Sequence, residues 1–416
     1  MKSLDDFDYH SIPLELQQLF CFIEEAGYKL VMVGGVVRDY LLTGTLASDI
    51  DIEIRKKITP GRVAWLKELT ELKNKIENRF SYDIEELPYG IIRIFINRFE
   101  IEITSPRLEF FQTGDIVSHR GFSAELDPSL DYASSFKRRD FTINAIGVEL
   151  NCKEKRVVLV DPFDGVMDLQ NRLLTPCGAD FTLDPVRFLR AVRFKLKLGC
   201  FFSERCMAQM EKMSLQNLTL FYFFNEFFKS KHHLFFKELF EFVKRWNIPV
   251  SDQIKDLMFL ENIKFSKVAF SGASEFFVNV VFQNRLDVTK GELDRLANGL
   301  MLKNDLVSTL VIAKALLRKL RKLDVQTIVD DICQKDFVSI EGLRPFSKLY
   351  NVRKKIGKLW EQIIPFISND LVKLIPEELS GGELFSDLIK KESFDDSDLS
   401  VVRFYAHLKT TPTKKI

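Results

Sequence analysis

Long hydrophobic runs are missing from this 416-residue chain. No apolar stretch approaches the roughly 20 residues needed to cross a bilayer, which argues against a membrane-spanning helix. The N-terminal MKSLDDFDYHS is acidic and has no apolar signal core, so secretion is not expected. No CxxC pair occurs. The six cysteines (Cys21, Cys152, Cys177, Cys200, Cys206 and Cys333) are scattered, which argues against a structural zinc site or a disulfide framework and points to a reducing cytoplasm. A charge imbalance is also lacking, since 60 basic residues face 59 acidic ones for a net charge of +1. The chain is therefore neither a polycation nor a polyanion, and a nucleic-acid site would have to be a local basic patch.

What is present is enough apolar residue, 46%, for a sizeable core, and a length that suits more than one domain. Residues 1–30 read as helical, with Leu14, Leu16, Leu19, Phe20 and Ile23 at helical spacing and Gly27 ending the pattern. KLVMV is a short buried strand. GGVVRDYLLTG is a turn and then a helix that stops near Gly44. SDIDIEI alternates charged and apolar residues, as a strand with one wet face does. GIIRIFI and FEIEIT form a hairpin around Asn97-Arg98. Between Pro106 and Phe136 the pattern weakens, and a partly mobile loop is expected. From about residue 165 strand signals fade, and helical periodicity rich in Phe takes over. Aromatic stripes of that kind read as helix–helix core.

Two features carry chemistry. Asp49 and Asp51 lie two apart on a strand, so their carboxylates share a face. Paired hard oxygens suit Mg²⁺, although an exposed strand face would look the same. Gly34 and Gly35 sit between strand and helix, where bare backbone N–H groups and the helix N-terminus favour a phosphate. Arg38, one turn on, could add charge-assisted bonds or simply pair with Asp39. A third acid, wanted if two metals clamp a phosphoryl transfer, could come from Glu100 or Glu102 in FEIEITSPR.

At this point the stretch VGGVVRDYLLTGTLASDIDIEI resembles the signature motif of the class II tRNA nucleotidyltransferases, of the DNA polymerase β-like superfamily. That family includes CCA-adding enzymes, CC-adding and A-adding specialists, and bacterial poly(A) polymerases. KRRDFTINAIGV, LVDPFDGVMDLQNRLL and FTLDPVRFLRAVRF resemble the second, third and fourth family motifs, in family order over about residues 28–200. The resemblance implies an α/β nucleotidyltransferase head with a small mixed sheet (1–147). It also implies an all-α neck with a base-selection helix (148–200); beyond residue 200, size and helical periodicity alone suggest an all-α body (201–310) and a tail expected to bind tRNA (311–416).

It further implies a two-metal Mg²⁺ site on Asp49, Asp51 and Glu102. Nucleotide contacts would come from Gly34, Gly35, Arg38, Arg139, Asp140, Asn144, Asp184, Arg187, Arg190 and Arg193. Asp140 and Asn144 stand i, i+4, compatible with one helical face, and Asp140 could equally cap a helix. Asp184 and Arg187, three apart, could read bases: a carboxylate accepts from the amine of C or A and meets a carbonyl on U or G. The same Asp-Pro could be a plain helix opening. One residue departs from the family: position 183 is Leu where Glu is usual, and that Glu would orient Arg187.

The implied activity is template-independent addition of C, C and A to tRNA 3′ ends from CTP and ATP. A poly(A) polymerase or a CC- or A-adding specialist is the alternative. The implied partner is the tRNA acceptor arm and elbow, with no obligate protein partner. Lys314–Lys322 and Arg353–Lys358 are basic helical stretches that could track phosphates or be solvated faces. His119 in the loop reads as solvent-exposed. No His-Asp dipeptide occurs, so the metal phosphohydrolase domain of some relatives is not expected.

Overall fold

A computed structural model describes residues 7–57, 61–111, 122–263, 265, 270, 272–283, 289–302 and 308–310. His119, both basic stretches and the tail beyond residue 310 lie outside the described residues. The chain divides into two compact units, Met1–Asp252 and Gln253–Ile416.

The first unit opens with α1 (Leu14–Glu25), β1 (Lys29–Val33), α2 (Gly35–Thr43), β2 (Asp49–Arg55), α3 (Arg62–Arg79), β3 (Asp83–Leu87), β4 (Ile91–Ile96) and β5 (Phe99–Thr104). Then come β6 (Arg107–Phe111), β7 (Phe122–Leu126), α4 (Tyr132–Phe136), β8 (Gly147–Asn151) and β9 (Arg156–Val160). The helix expected over residues 1–30 is shorter, because Pro13 precedes it and Ala26-Gly27 ends it.

Among the described residues the strands form a seven-stranded mixed sheet, ordered β3-β4-β5-β2-β1-β8-β9. β2 and β5 run parallel, while the other pairs are antiparallel. Ile50, Ile52, Ile54, Ile92, Ile94, Ile101 and Ile103 are all buried, and by parity they share one face. Each such side chain contributes roughly 2 kcal/mol of burial. α1 and α2 pack on β1 and β2 through Leu16, Leu19, Phe20, Val37 and Leu41. The opposite face carries Asp49, Asp51, Glu100, Glu102 and Arg93. β8 and β9 belong to the sheet, which therefore extends to Val160, past residue 147.

Two local expectations change. The wet face of β2 is wet only at its start, for Glu53 is fully buried. The segment from Pro106 to Phe136 is not a plain loop: β6 and β7 pair as an antiparallel ribbon, and α4 follows, capped by Asp131.

Beyond the sheet come α5 (Gly165–Gln170), β10 (Leu173–Leu174), α6 (Val186–Leu198), β11 (Phe201–Phe202), α7 (Glu204–Met210), α8 (Leu220–Ser230) and α9 (Phe235–Arg245). β10 and β11 make a short parallel pair. The Phe-rich stretch is core, as its periodicity implies: Phe223 and Phe227 of α8 meet Phe236 of α9 at centroid distances of 5.6 and 4.3 Å. α10 (Asp252–Lys255) spans the unit boundary. In the second unit α11 (Ala273–Gln283) and α12 (Lys290–Gly299) are described, α12 opening with a capping box made by Thr289 and Glu292.

Candidate nucleotide site

The turn from β1 to α2 fixes the first corner. Gly34 holds φ +91°, a backbone that side chains rarely adopt, and its N–H donates to Ile146 O at 3.0 Å. A Cβ placed there would come within 2.6 Å of Arg139 Nη1 and 3.5 Å of Asp51 Oδ2. Gly34, Arg139 and Asp51 therefore converge on one point at the N-terminus of α2. Gly35 is the first residue of that helix.

The parallel pairing of β2 with β5 sets Asp49 beside Glu100 and Asp51 beside Glu102. Burial raises the Asp51 carboxyl above its ordinary value. Arg139 and Arg138 oppose that rise, and Glu102 and Asp49 add to it. Asp51 is thus a half-buried carboxylate with like charges around it, the condition a divalent cation relieves. Asp49 is exposed and accepts from Ser48 Oγ at 3.2 Å.

The third acid differs from its expected role. Glu102 Oε1 accepts from Arg93 Nη2 at 2.7 Å and Nε at 3.1 Å, and Arg93 also pairs with Glu100 at 2.9 Å. Among the described residues no three His, Cys, Asp or Glu side chains gather into a group that could hold a metal ion. Asp49 and Asp51 fit a hard divalent cation by donor type; Glu102 lies beside Asp51 but gives its carboxylate to Arg93.

RRDFTINA supplies the second corner. Asp140 and Asn144 are paired, Asn144 Nδ2 donating to Asp140 Oδ1 at 2.9 Å. They do not share a helical face. The chain makes a turn and a 3-10 segment, Thr142–Asn144, and the pair closes across it. Arg139 Nη1 donates to Asn144 O at 3.2 Å. Arg38 is buried and donates to Asn144 Oδ1 and, through Nε, to Asp39 Oδ1 at 2.7 Å. It braces the RRDFTINA turn from inside rather than standing open to a phosphate.

Helix α6 forms the third corner. Asp184 Oδ1 accepts from Val186 N–H at 2.9 Å, so it does open the helix. It also lies 3.8 Å from Arg187 Nε. Without a Glu at 183, Arg187 is held by backbone: Nη1 donates to Asp180 O at 3.1 Å and Nη2 to Arg138 O at 2.6 Å. Arg190 Nε meets Asp140 Oδ2 at 2.5 Å. Burial alone would raise the Asp140 carboxyl. The Arg190 charge, with hydrogen bonds from Asn144 and Phe141 N–H, outweighs it and holds Asp140 well below the usual carboxylate range. Arg193 turns elsewhere and is buried against Glu226 of α8 at 2.6 Å.

The structure thus brings Gly34, Asp51, Arg139, Asn144, Asp140 and Arg190 into one connected network, with Asp184 and Arg187 tied to it through Arg138 O. It leaves Arg193 outside. Sequence reading missed Arg138, Glu226 and the work of the third motif. Asp161 accepts from Gly165 and Val166 N–H at 2.7 and 2.9 Å, and Asp168 accepts from Thr142 Oγ1 at 2.6 Å, so DPFDGVMD clamps the RRDFTINA turn. The Asp-then-Gly spacing of a helix opening was the available signal.

Comparison with known proteins follows this geometry. A family profile described as "Poly A polymerase head domain" matches residues 30–175. A multifunctional CCA protein of Stenotrophomonas maltophilia (strain K279a) is 41% identical over 99 residues, 23% of this chain and 23% of its own length. A CCA-adding enzyme of Francisella tularensis subsp. novicida is 26% identical over 372 residues, 83% of this chain and 88% of its own. The solved structure of a CCA-adding enzyme, apo form II, superposes with a TM-score of 0.55 at 17% identity, covering 95% of this chain and 97% of that one; it bears on fold alone. The four motifs in order and the profile match fall on the same part of the chain: residues 30–175 are similar to the Poly A polymerase head domain, and the fold is that of a solved CCA-adding enzyme.

Proposed function

We propose that this protein is a CCA-adding enzyme, appending C, C and A to tRNA 3′ ends from CTP and ATP without a nucleic-acid template. One observation carries the reading: Asp51, Gly34 and Arg139 meet at the start of α2, and a single polar network runs from there to Asp184, just before α6, and Arg187 of α6. The first supports reading the turn as a phosphate site beside an acid, and the second supports reading Asp184 and Arg187 as the groups that would meet the base.

Asp49 and Asp51 would hold Mg²⁺, with Glu102 available if Arg93 releases it. The ion would lower the pKa of the RNA 3′-hydroxyl and neutralise the departing pyrophosphate. The chain's own groups bind and orient. The α2 N-terminus and Arg139 take the triphosphate charge. Asp140 and Asn144, already bonded to each other, to Arg190 and to Arg38, would hold the turn that lies beside the ribose. Asp184 accepts from the exocyclic amine of C or A, while Arg187 donates to a ring nitrogen or carbonyl. U and G would set a carbonyl against the carboxylate. Phosphoryl transfer asks for positioning and charge stabilisation, not for a protein nucleophile.

The names of the relatives support CCA addition, and the tRNA acceptor arm and elbow would be the partner. The described cysteines are all unpaired, which suits a cytoplasmic protein, and no described helix is long and apolar enough to cross a membrane. The family profile's description favours one rival, a polymerase that adds A alone. Both are tested by giving the protein tRNA that ends before CCA, or at CC, with single nucleoside triphosphates. CTP then ATP incorporation that stops after three residues is expected; long A tracts on unrelated RNA would replace this reading with the rival.

A further inference from the structure

Strand β2 carries more than the two aspartates. Glu53 lies on their face, two residues past Asp51, and is fully buried; Arg55 is nearly so. A carboxylate and a guanidinium removed from water are retained at a cost that apolar side chains would avoid. Their geometry shows what the pair holds.

Arg55 reaches along one short segment. Its Nη1 donates to Leu130 O, and its Nη2 donates to Glu53 and, at 2.5 Å, to Ser135 Oγ. Ser135 Oγ in turn donates to Glu53 Oε1 at 3.3 Å. The guanidinium stacks 4.1 Å from the centroid of the Tyr132 ring. Leu130, Tyr132 and Ser135 are the entry and body of α4. The next residue, Phe136, is fully buried in a cluster with Val31 and Val33. Arg139 N–H donates to Phe136 O at 2.9 Å, and the Arg139 guanidinium sits 5.7 Å from the Phe136 ring. From there it extends to Gly34 and Asp51. Glu53 also acts electrostatically on Arg138, and Glu53 Oε2, Arg138 Nε and Arg139 Nε each lack a hydrogen-bond partner.

We propose that the Glu53–Arg55 pair is a positioning device for nucleotide phosphate binding. It fixes α4 against the strand that bears Asp51, and so sets the Arg139 guanidinium beside Asp51 and the Gly34 turn. The proposal rests on the reading of this site as a nucleoside triphosphate site. Apolar side chains could fill the same space, but they lack the directed fork that ties β2 to Leu130 and Ser135.

Two variants test it: the double substitution Glu53→Met with Arg55→Met, and Arg55→Lys alone. The measurements are calorimetric binding of CTP with Mg²⁺ in the absence of RNA, KM for CTP and for the RNA primer, and thermal unfolding. The double variant is expected to fold, since apolar replacement of a buried pair is commonly tolerated. It should bind CTP about tenfold more weakly, a loss of the size that small misplacements cause, with KM for RNA unchanged. Arg55→Lys should weaken CTP binding in the same direction. A folded double variant with the parent's CTP affinity overturns the proposal. If the double variant does not fold, a folded Arg55→Lys protein with parental CTP affinity overturns it. A parent protein that binds no nucleotide would sink the functional reading itself, which no result from the variants can do.

Discussion

Asp140 and Arg190 are joined at 2.5 Å across fifty residues of sequence, and that contact fastens α6 to the RRDFTINA turn. Asp140 is buried and also accepts from Asn144, so one carboxylate aligns two of the site's corners.

Replacing Asp140 by Asn should therefore cost stability and nucleotide binding together. A loss of about 2 kcal/mol is expected, since Arg190 would be left partly buried without its charge partner. The carboxyl is held low in the folded protein, so its contribution is complete above the ordinary carboxylate pKa near 4 and fades only as pH falls through the much lower folded value. Urea unfolding of parent and variant should differ by the same amount at pH 7 and pH 5, and the gap should narrow only under strong acid.

Asp51→Asn should abolish nucleotide transfer, by roughly a thousandfold or more, yet leave a protein at least as stable as the parent. Burial and the Glu102 and Asp49 charges disfavour the Asp51 carboxylate in the fold, and the amide removes that conflict. A melting temperature unchanged or raised by about 2–4 °C is expected, the shift that about 1 kcal/mol gives in a domain of this size. A lower melting temperature would show that the carboxylate is structural.

Gly34→Ala should act on phosphate binding. The methyl group would meet Arg139 Nη1 at 2.6 Å in a backbone conformation that alanine strains to adopt. The strain should cost about 1–2 kcal/mol, and displacement of Arg139 should raise KM for CTP and ATP by about tenfold with KM for RNA little changed. Steady-state kinetics with either substrate varied separates the two effects.

Asp184→Asn separates two roles that one carboxylate combines. Asn caps a helix as well as Asp does, so the Val186 contact and the melting temperature should persist. The amide can donate as well as accept, so U and G are no longer repelled. Misincorporation of UTP or GTP should rise by about tenfold or more. If the variant still refuses U and G, base choice lies elsewhere than Asp184.

Much of the site was legible because its parts are local. A strand period of two fixes the shared face of Asp49 and Asp51, and a glycine pair between strand and helix fixes a tight turn. Helical spacing likewise put Asp184 near Arg187. Spacing misled where an intervening fold broke the expected period. Asp140 and Asn144 pair across a 3-10 turn rather than along a helix. Arg190 and Arg193, one turn apart, diverge because α6 packs between the RRDFTINA turn on one side and α8 on the other. The ribbon of β6 and β7 was read as loop because its two strands find their partners only in each other.

The sequence by itself determined the head's elements, the acids on β2, the glycine turn and the aromatic core of the later helices, because each follows from short-range periodicity and backbone preference. Only the tertiary structure decided which charges meet: Glu102 with Arg93, Arg193 with Glu226, Arg187 with two backbone carbonyls, and Glu53 with Arg55 under α4. The physical reason is that a charged side chain accepts any nearby partner of opposite sign. The choice among partners is made by which elements the apolar core brings into contact, and no local pattern in the chain encodes that.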